Sequence, residues 1–79
     1  MDWRKRIVVN PEVNHGEPSI RGTRVTVSAL VGAVAEGLSY EEITREYPVT
    51  VDDVKAALAY AAEVLRDDIL LPLTEEDTT

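Results

Sequence analysis

The sequence contains no cysteine and only one histidine. Without thiols there is neither a disulfide framework nor a thiolate metal site. His15, with no second imidazole to join it, does not make an ordinary zinc site; a structural or merely exposed role is expected. No apolar run approaches the ~18 residues of a membrane helix. No secretory leader is read at the start of the chain, so a soluble, cytoplasmic protein is expected. Nucleophilic catalysis needs a hydroxyl or thiol beside a base, and no such constellation is present. Gly16 and Gly22 do not lie between a strand and a helix, which rules out a glycine-rich phosphate loop. The expectation is a protein that is not an enzyme and that takes no metal and no cofactor.

Positive charge is the scarcer sign: Lys and Arg number 8 against 15 Asp and Glu, a net charge of −7. The imbalance is uneven. Residues 1–27 hold Arg4, Lys5, Arg6, Arg21 and Arg24 against Asp2, Glu12 and Glu17. Residues 28–79 hold only Arg45, Lys55 and Arg66 against all the remaining acids. The basic end suits an anion, and the acidic end repels DNA and attracts a basic protein. A chain of 79 residues makes one small domain with a marginal core, which a second chain can complete.

The stretch from Gly16 to Val27 organises the rest. Gly22-Thr23 reads as the two-residue loop of a type II′ hairpin, with glycine at the first central place because that place needs φ > 0. Pro18-Ser19-Ile20 and Val25-Thr26-Val27 become its antiparallel arms. Arg21 and Arg24 would then face each other across the turn. Such a pair needs an anion: a carboxylate of this chain, a partner's carboxylate, or a nucleic-acid phosphate.

Elsewhere the elements announce themselves. Residues 1–5 are expected to be a flexible N-terminus, with Arg4-Lys5-Arg6 as a phosphate-contacting arm or simple solubilising charge. Trp3 suits a partner's surface or the edge of the domain's own core. Arg6-Ile7-Val8-Val9 is a short strand stopped by Asn10-Pro11. A first helix runs over Ser28–Glu36 and ends at Gly37. Ser39 and Glu42 form a capping box, with Leu38 and Ile43 as its hydrophobic staple. Tyr47-Pro48 ends that second helix. Thr50 and Asp53 repeat the box for a third helix, where Val49 staples to Val54.

The third helix carries a core-facing stripe of Val51, Val54, Leu58, Ala61 and Leu65, with Ala57 and Val64 beside it. Ala56, Ala59 and Tyr60 extend the apolar surface round the helix, and a homodimer interface is expected there. The fold class is thus mainly α: a three-helix, helix-turn-helix-like (winged-helix-like) domain over residues 6–66 with a short N-terminal β hairpin. Residues 67–79 form an acidic, apolar tail. Within it Ile69, Leu70, Leu71 and Leu73 are expected to fold back on the domain or to bind a partner. A DNA-reading helix would enter the major groove by its N-terminal residues, but here those include Asp52 and Asp53. If DNA is bound, Arg21, Arg24 and the Arg4-Lys5-Arg6 arm are the better candidates.

Several runs carry a resemblance. They are Asn10-Pro11-Glu12, the Gly16–Val27 stretch, Glu36–Ile43, Tyr47-Pro48 and Val54–Ala61. Together they resemble the domain-of-unknown-function 433 family. The resemblance covers residues 6–66, and the G-x-P-x-I-R-G-T-R pattern is specific to that family. Thr26 departs from it, since members often carry proline there; threonine can still begin a helix. The tail is not covered by the pattern. The resemblance implies a helix-turn-helix fold and a small prokaryotic antitoxin, encoded beside a PIN-like nuclease toxin of the DUF5615 type. It also implies autorepression as a dimer on operator DNA. The functional expectation is therefore the antitoxin of a type II toxin–antitoxin pair, with Arg21, Gly22, Thr23 and Arg24 meeting the toxin or a nucleic acid. A stand-alone DNA-binding transcriptional regulator is the alternative.

Overall fold

The computed structural model describes residues 2–67. The four apolar tail residues singled out above, Ile69, Leu70, Leu71 and Leu73, lie outside them. Chain order is a 3-10 turn at Trp3–Arg6, strand β1 (Ile7–Val8), a second 3-10 turn at Asn14–Gly16, strand β2 (Ser19–Ile20), and three helices. The helices are α1 (Val27–Ala35), α2 (Tyr40–Glu46) and α3 (Val51–Asp67). β1 and β2 pair antiparallel, with Ile7 opposite Ile20 and Val8 opposite Ser19. The fold is mainly helical with a short N-terminal β hairpin, as the sequence leads one to expect. No described helix is long and apolar enough to cross a membrane.

Each helix starts and stops where local chemistry dictates. Thr26 caps α1 by accepting the Ala29 N–H, so the helix starts at Val27, one residue earlier than the expected start at Ser28. α1 closes with a Schellman motif: Gly37 sits at φ +97, its N–H donates to Val34 O, and the Leu38 N–H donates to Ala33 O. Both halves of the Ser39–Glu42 capping box form. The second box forms too, with the Thr50 N–H on Asp53 Oδ2 at 2.9 Å and the Asp53 N–H on Thr50 Oγ1 at 3.1 Å. Four orphan donors at two helix starts are thereby satisfied by residues within the same turn.

The core draws one large, fully buried side chain from each helix: Leu30, Ile43 and Val54. Ile7 and Ile20 close it from the strands. The expected stripe on α3 is only half realised. Val54 and Ala57 are buried, but Leu65 is 56% exposed and Val64 37%. The reason is length. α3 has 17 residues, about 25 Å at 1.5 Å per residue. α1 has 9 and α2 has 7, so neither reaches along all of it.

Two further expectations bear on the N-terminal turn. In the segment expected to be flexible, Trp3–Arg6 form a 3-10 turn capped by the Asp2 side chain. Trp3 packs edge-on to Tyr60, with ring centroids 5.8 Å apart. That contact takes one of the residues expected at a dimer interface. Ala56 is fully buried in the chain's own core, and Ala59 is half-buried. The second side of α3 is covered by the same chain's N-terminal turn, which the apolar pattern could not tell from a second protomer.

The three core side chains and the caps differ in what their loss removes. Ser39→Ala deletes one capping hydrogen bond and is expected to cost about 1 kcal/mol. Ile43→Ala empties the centre of the core and is expected to cost roughly 2–5 kcal/mol. Urea titration of both variants tests that ranking.

Candidate partner-binding site: the arginine hairpin

The arms of the Arg21–Arg24 loop pair as expected, but the turn has a different register. The Thr23 N–H donates to Ile20 O at 3.0 Å, so Arg21 and Gly22 are the two central residues. Gly22 has φ +81, which is what the second central place of a type II turn requires. The expected II′ turn puts glycine one place earlier. The cause is the Thr23 side chain. Its hydroxyl donates to Ile20 O at 2.9 Å and accepts the Val25 N–H at 3.0 Å. Thr23 and Arg24 are thus drawn into the loop, and Ile20 and Val25 become its closing pair, with the Ile20 N–H on Val25 O at 2.9 Å. Arg21 and Arg24 do not face each other across a strand pair, so the repulsion inferred from that geometry does not arise.

The two arginines have different surroundings. The Arg21 N–H donates to Arg6 O at 2.8 Å, and its Nε donates to Lys5 O at 2.8 Å. Arg21 therefore clasps the N-terminal turn. Arg24 is exposed; its backbone carbonyl accepts from Asn14 Nδ2 at 3.0 Å. Among the described residues, the ion pairs involve Arg6 and Arg66 and neither hairpin arginine. Of the three anions offered for the pair, a carboxylate of this chain is therefore not found among the described residues, and Glu41, Glu42 and Asp53 do not pair with Arg21 or Arg24. Glu42 is taken by the Ser39 N–H at 2.9 Å, and Asp53 is taken by Arg6.

Arg6 is the cation that fastens the hairpin to the helices. Its Nη1 donates to Asp53 Oδ1 at 2.9 Å, and Nη2 stands 3.6 Å from Asp52. The expected Arg4-Lys5-Arg6 arm is thus divided. Arg6 turns onto α3, Arg4 lies 4.7 Å over the Trp3 ring, and Lys5 is exposed. Partial burial acts to raise the Asp53 pKa. The Thr50 backbone N–H, the Arg6 guanidinium and the Thr50 hydroxyl outweigh it and hold the carboxyl below its ordinary value. The Glu42 carboxyl is also lowered, first by the Ser39 N–H and hydroxyl, with Arg45 adding to them against slight desolvation.

A second support escaped the sequence reading. Asn14 donates through Nδ2 to Ser19 Oγ at 2.9 Å as well as to Arg24 O. It stands in the left-handed region with His15 and Gly16, a conformation that asparagine and glycine tolerate best. Asn-His-Gly after a proline turn was the available signal. His15 itself is exposed.

The lowered pKa of Asp53 sets a pH dependence. The unfolded carboxyl titrates higher than the folded one, so its contribution is fully present above the ordinary value near 3.8. That contribution is lost as pH falls through the folded value. Asp53→Asn is expected to be less stable than the parent by about 1–3 kcal/mol at neutral pH, with the gap closing in acid. Thermal melts of both proteins from neutral pH downward test this; a gap that stays constant rejects it.

No curated protein and no solved structure matches the chain. The model of the family described as "Protein of unknown function (DUF433)" matches residues 7–61, a span that holds both strands, the arginine loop, α1, α2 and most of α3, and the chain belongs to that family.

Proposed function

We propose that this chain is the antitoxin of a type II toxin–antitoxin pair, and that it neutralises a PIN-like ribonuclease by direct contact. The observation that carries the reading is Arg24: an exposed loop cation, held in place through its backbone by Asn14, with no carboxylate partner among the described residues. A PIN-like nuclease gathers acidic metal ligands and surrounds them with basic residues that hold RNA phosphates. An arginine presented on a rigid loop fits the first feature, because a guanidinium pairs with carboxylates bidentately. The acidic back half of the chain suits the second. On this reading the protein is cytoplasmic, is not an enzyme, and acts by occlusion, with a homodimer and operator binding as further parts of the proposal.

The same cations support a rival, a stand-alone transcriptional regulator that binds DNA through the hairpin. The clasp between Arg21 and Lys5 O holds the hairpin against the basic N-terminal segment. Against the rival, the start of α3 presents exposed Asp52, whose charge repels phosphates, and electrostatics dominates DNA affinity.

Co-expression with the product of the adjacent gene, followed by co-purification and growth rescue, tests the proposal. Arg24→Ala is expected to leave Tm within about 1 °C of the parent, since surface changes away from buried contacts are small, and to lose binding and rescue together. Retained rescue by that variant rejects the role given to Arg24. Tight, salt-sensitive binding of the isolated chain to its own promoter, with no partner bound, favours the regulator instead.

A further inference from the structure

The overhang of α3 leaves an apolar groove. Pro18, Val27 and Val31 form one wall, and Ala61, Val64 and Leu65 form the other. Tyr60, whose ring meets Trp3, also lines the groove. The only charged side chain lining the groove is Glu17, whose Oε1 accepts from Ser28 Oγ at 2.7 Å. Aliphatic groups as exposed as Leu65 and Val64, gathered in one concave patch, mark a surface that something covers.

We propose that this groove seats the chain's own apolar run, Ile69–Leu73. The described residues end at Asp67, within one helical turn of Val64 and Leu65, and the run follows after a single residue in the sequence. Ile69-Leu70-Leu71-Pro72-Leu73 carries no charge. The tail's acids, Asp68 on one side and Glu75, Glu76 and Asp77 on the other, flank the run and are not within it. Docking therefore does not bring a carboxylate onto Glu17. Pro72 disfavours helix at the residue before it, so the sequence opposes a helix that runs straight on into solvent.

Reach is adequate. Five extended residues span about 17 Å, and the part of α3 that lines the groove, Tyr60–Leu65, spans about 8 Å at the helical rise. The connection is one or two residues long, which makes the tail's effective concentration at the groove far higher than that of a free partner. Covering the patch removes the exposed wall of the groove from water, together with the apolar side chains that cover it.

The inference concerns the free chain and stands apart from the nuclease reading: a failure of toxin rescue with the groove coupling intact touches only the earlier proposal. The test is a double-mutant cycle in the full-length chain. Leu65→Ser alters the groove at a residue that is 56% exposed and so leaves the core alone. Replacing Ile69, Leu70, Leu71 and Leu73 together by serine removes the occupant. Each change is expected to lower Tm, by on the order of 5 °C. The combination is expected to lower it no further than the larger single effect, because both remove one contact. Additive losses, or a tail variant that melts like the parent, overturn the proposal. The melts are repeated over a wide range of protein concentration with mass measured by light scattering. A coupling that strengthens with concentration in a dimer assigns the groove to a second copy and also overturns it.

Discussion

Asp53 satisfies two sets of donors at once, and the placement of the arginine loop follows from that. One carboxylate oxygen takes the Thr50 N–H and closes the start of α3; the other takes Arg6. The Arg6 carbonyl in turn accepts the Arg21 N–H, which extends the β1–β2 ladder to the edge of the turn. A line of hydrogen bonds thus runs from the first turn of α3, through a side chain of the N-terminal segment, to the loop that carries Gly22 and Thr23. The Asp53 side chain is 13% exposed and that of Arg6 is 36% exposed, so the pair is screened less than a surface ion pair. It locates a two-stranded ladder that would be marginal by itself.

The helices depend on a core of very few side chains. Leu30, Ile43 and Val54 meet at its centre, with isoleucines from the two strands closing one side. The capping boxes fix where α2 and α3 begin, and so which side chains reach that centre. Beyond Ala61 the third helix has outrun its partners. Its last turns keep the apolar pattern of a core-facing helix but are only partly covered, with Val64 37% and Leu65 56% exposed. The hairpin loop and this overhang leave the described surface with one cationic and one apolar patch.

What was legible in the sequence was what a few neighbouring residues decide among themselves. Ser39 with Glu42, Thr50 with Asp53, and Gly37 after α1 each complete a hydrogen-bond pattern within one turn, and each is where the pattern placed it. The strand at Ile7 and the arms around Gly22 were legible for the same reason. The register of the turn was not, because a Thr23 hydroxyl that bonds on both sides widens the loop, and no pairing rule for glycine includes that. Arg6 was read as part of a basic arm. Its partner is 47 positions away, and local charge patterning carries no information at that distance. The second apolar side of α3 was read as the seat of another chain, and Trp3 of the same chain lies against Tyr60 there: the apolar side of a helix records that something covers it, not which segment does.

The only indole of the sequence belongs to the N-terminal turn and rests on a phenol of α3, with a guanidinium above it. Its emission therefore reports the seating of that turn on the helix, separately from the melting of the helices themselves. Lifting the turn off the helix would expose the indole to water and shift its emission, while the helical signal in circular dichroism stayed in place. The molecule carries its own optical gauge of the segment through which Arg6 and Lys5 hold the loop.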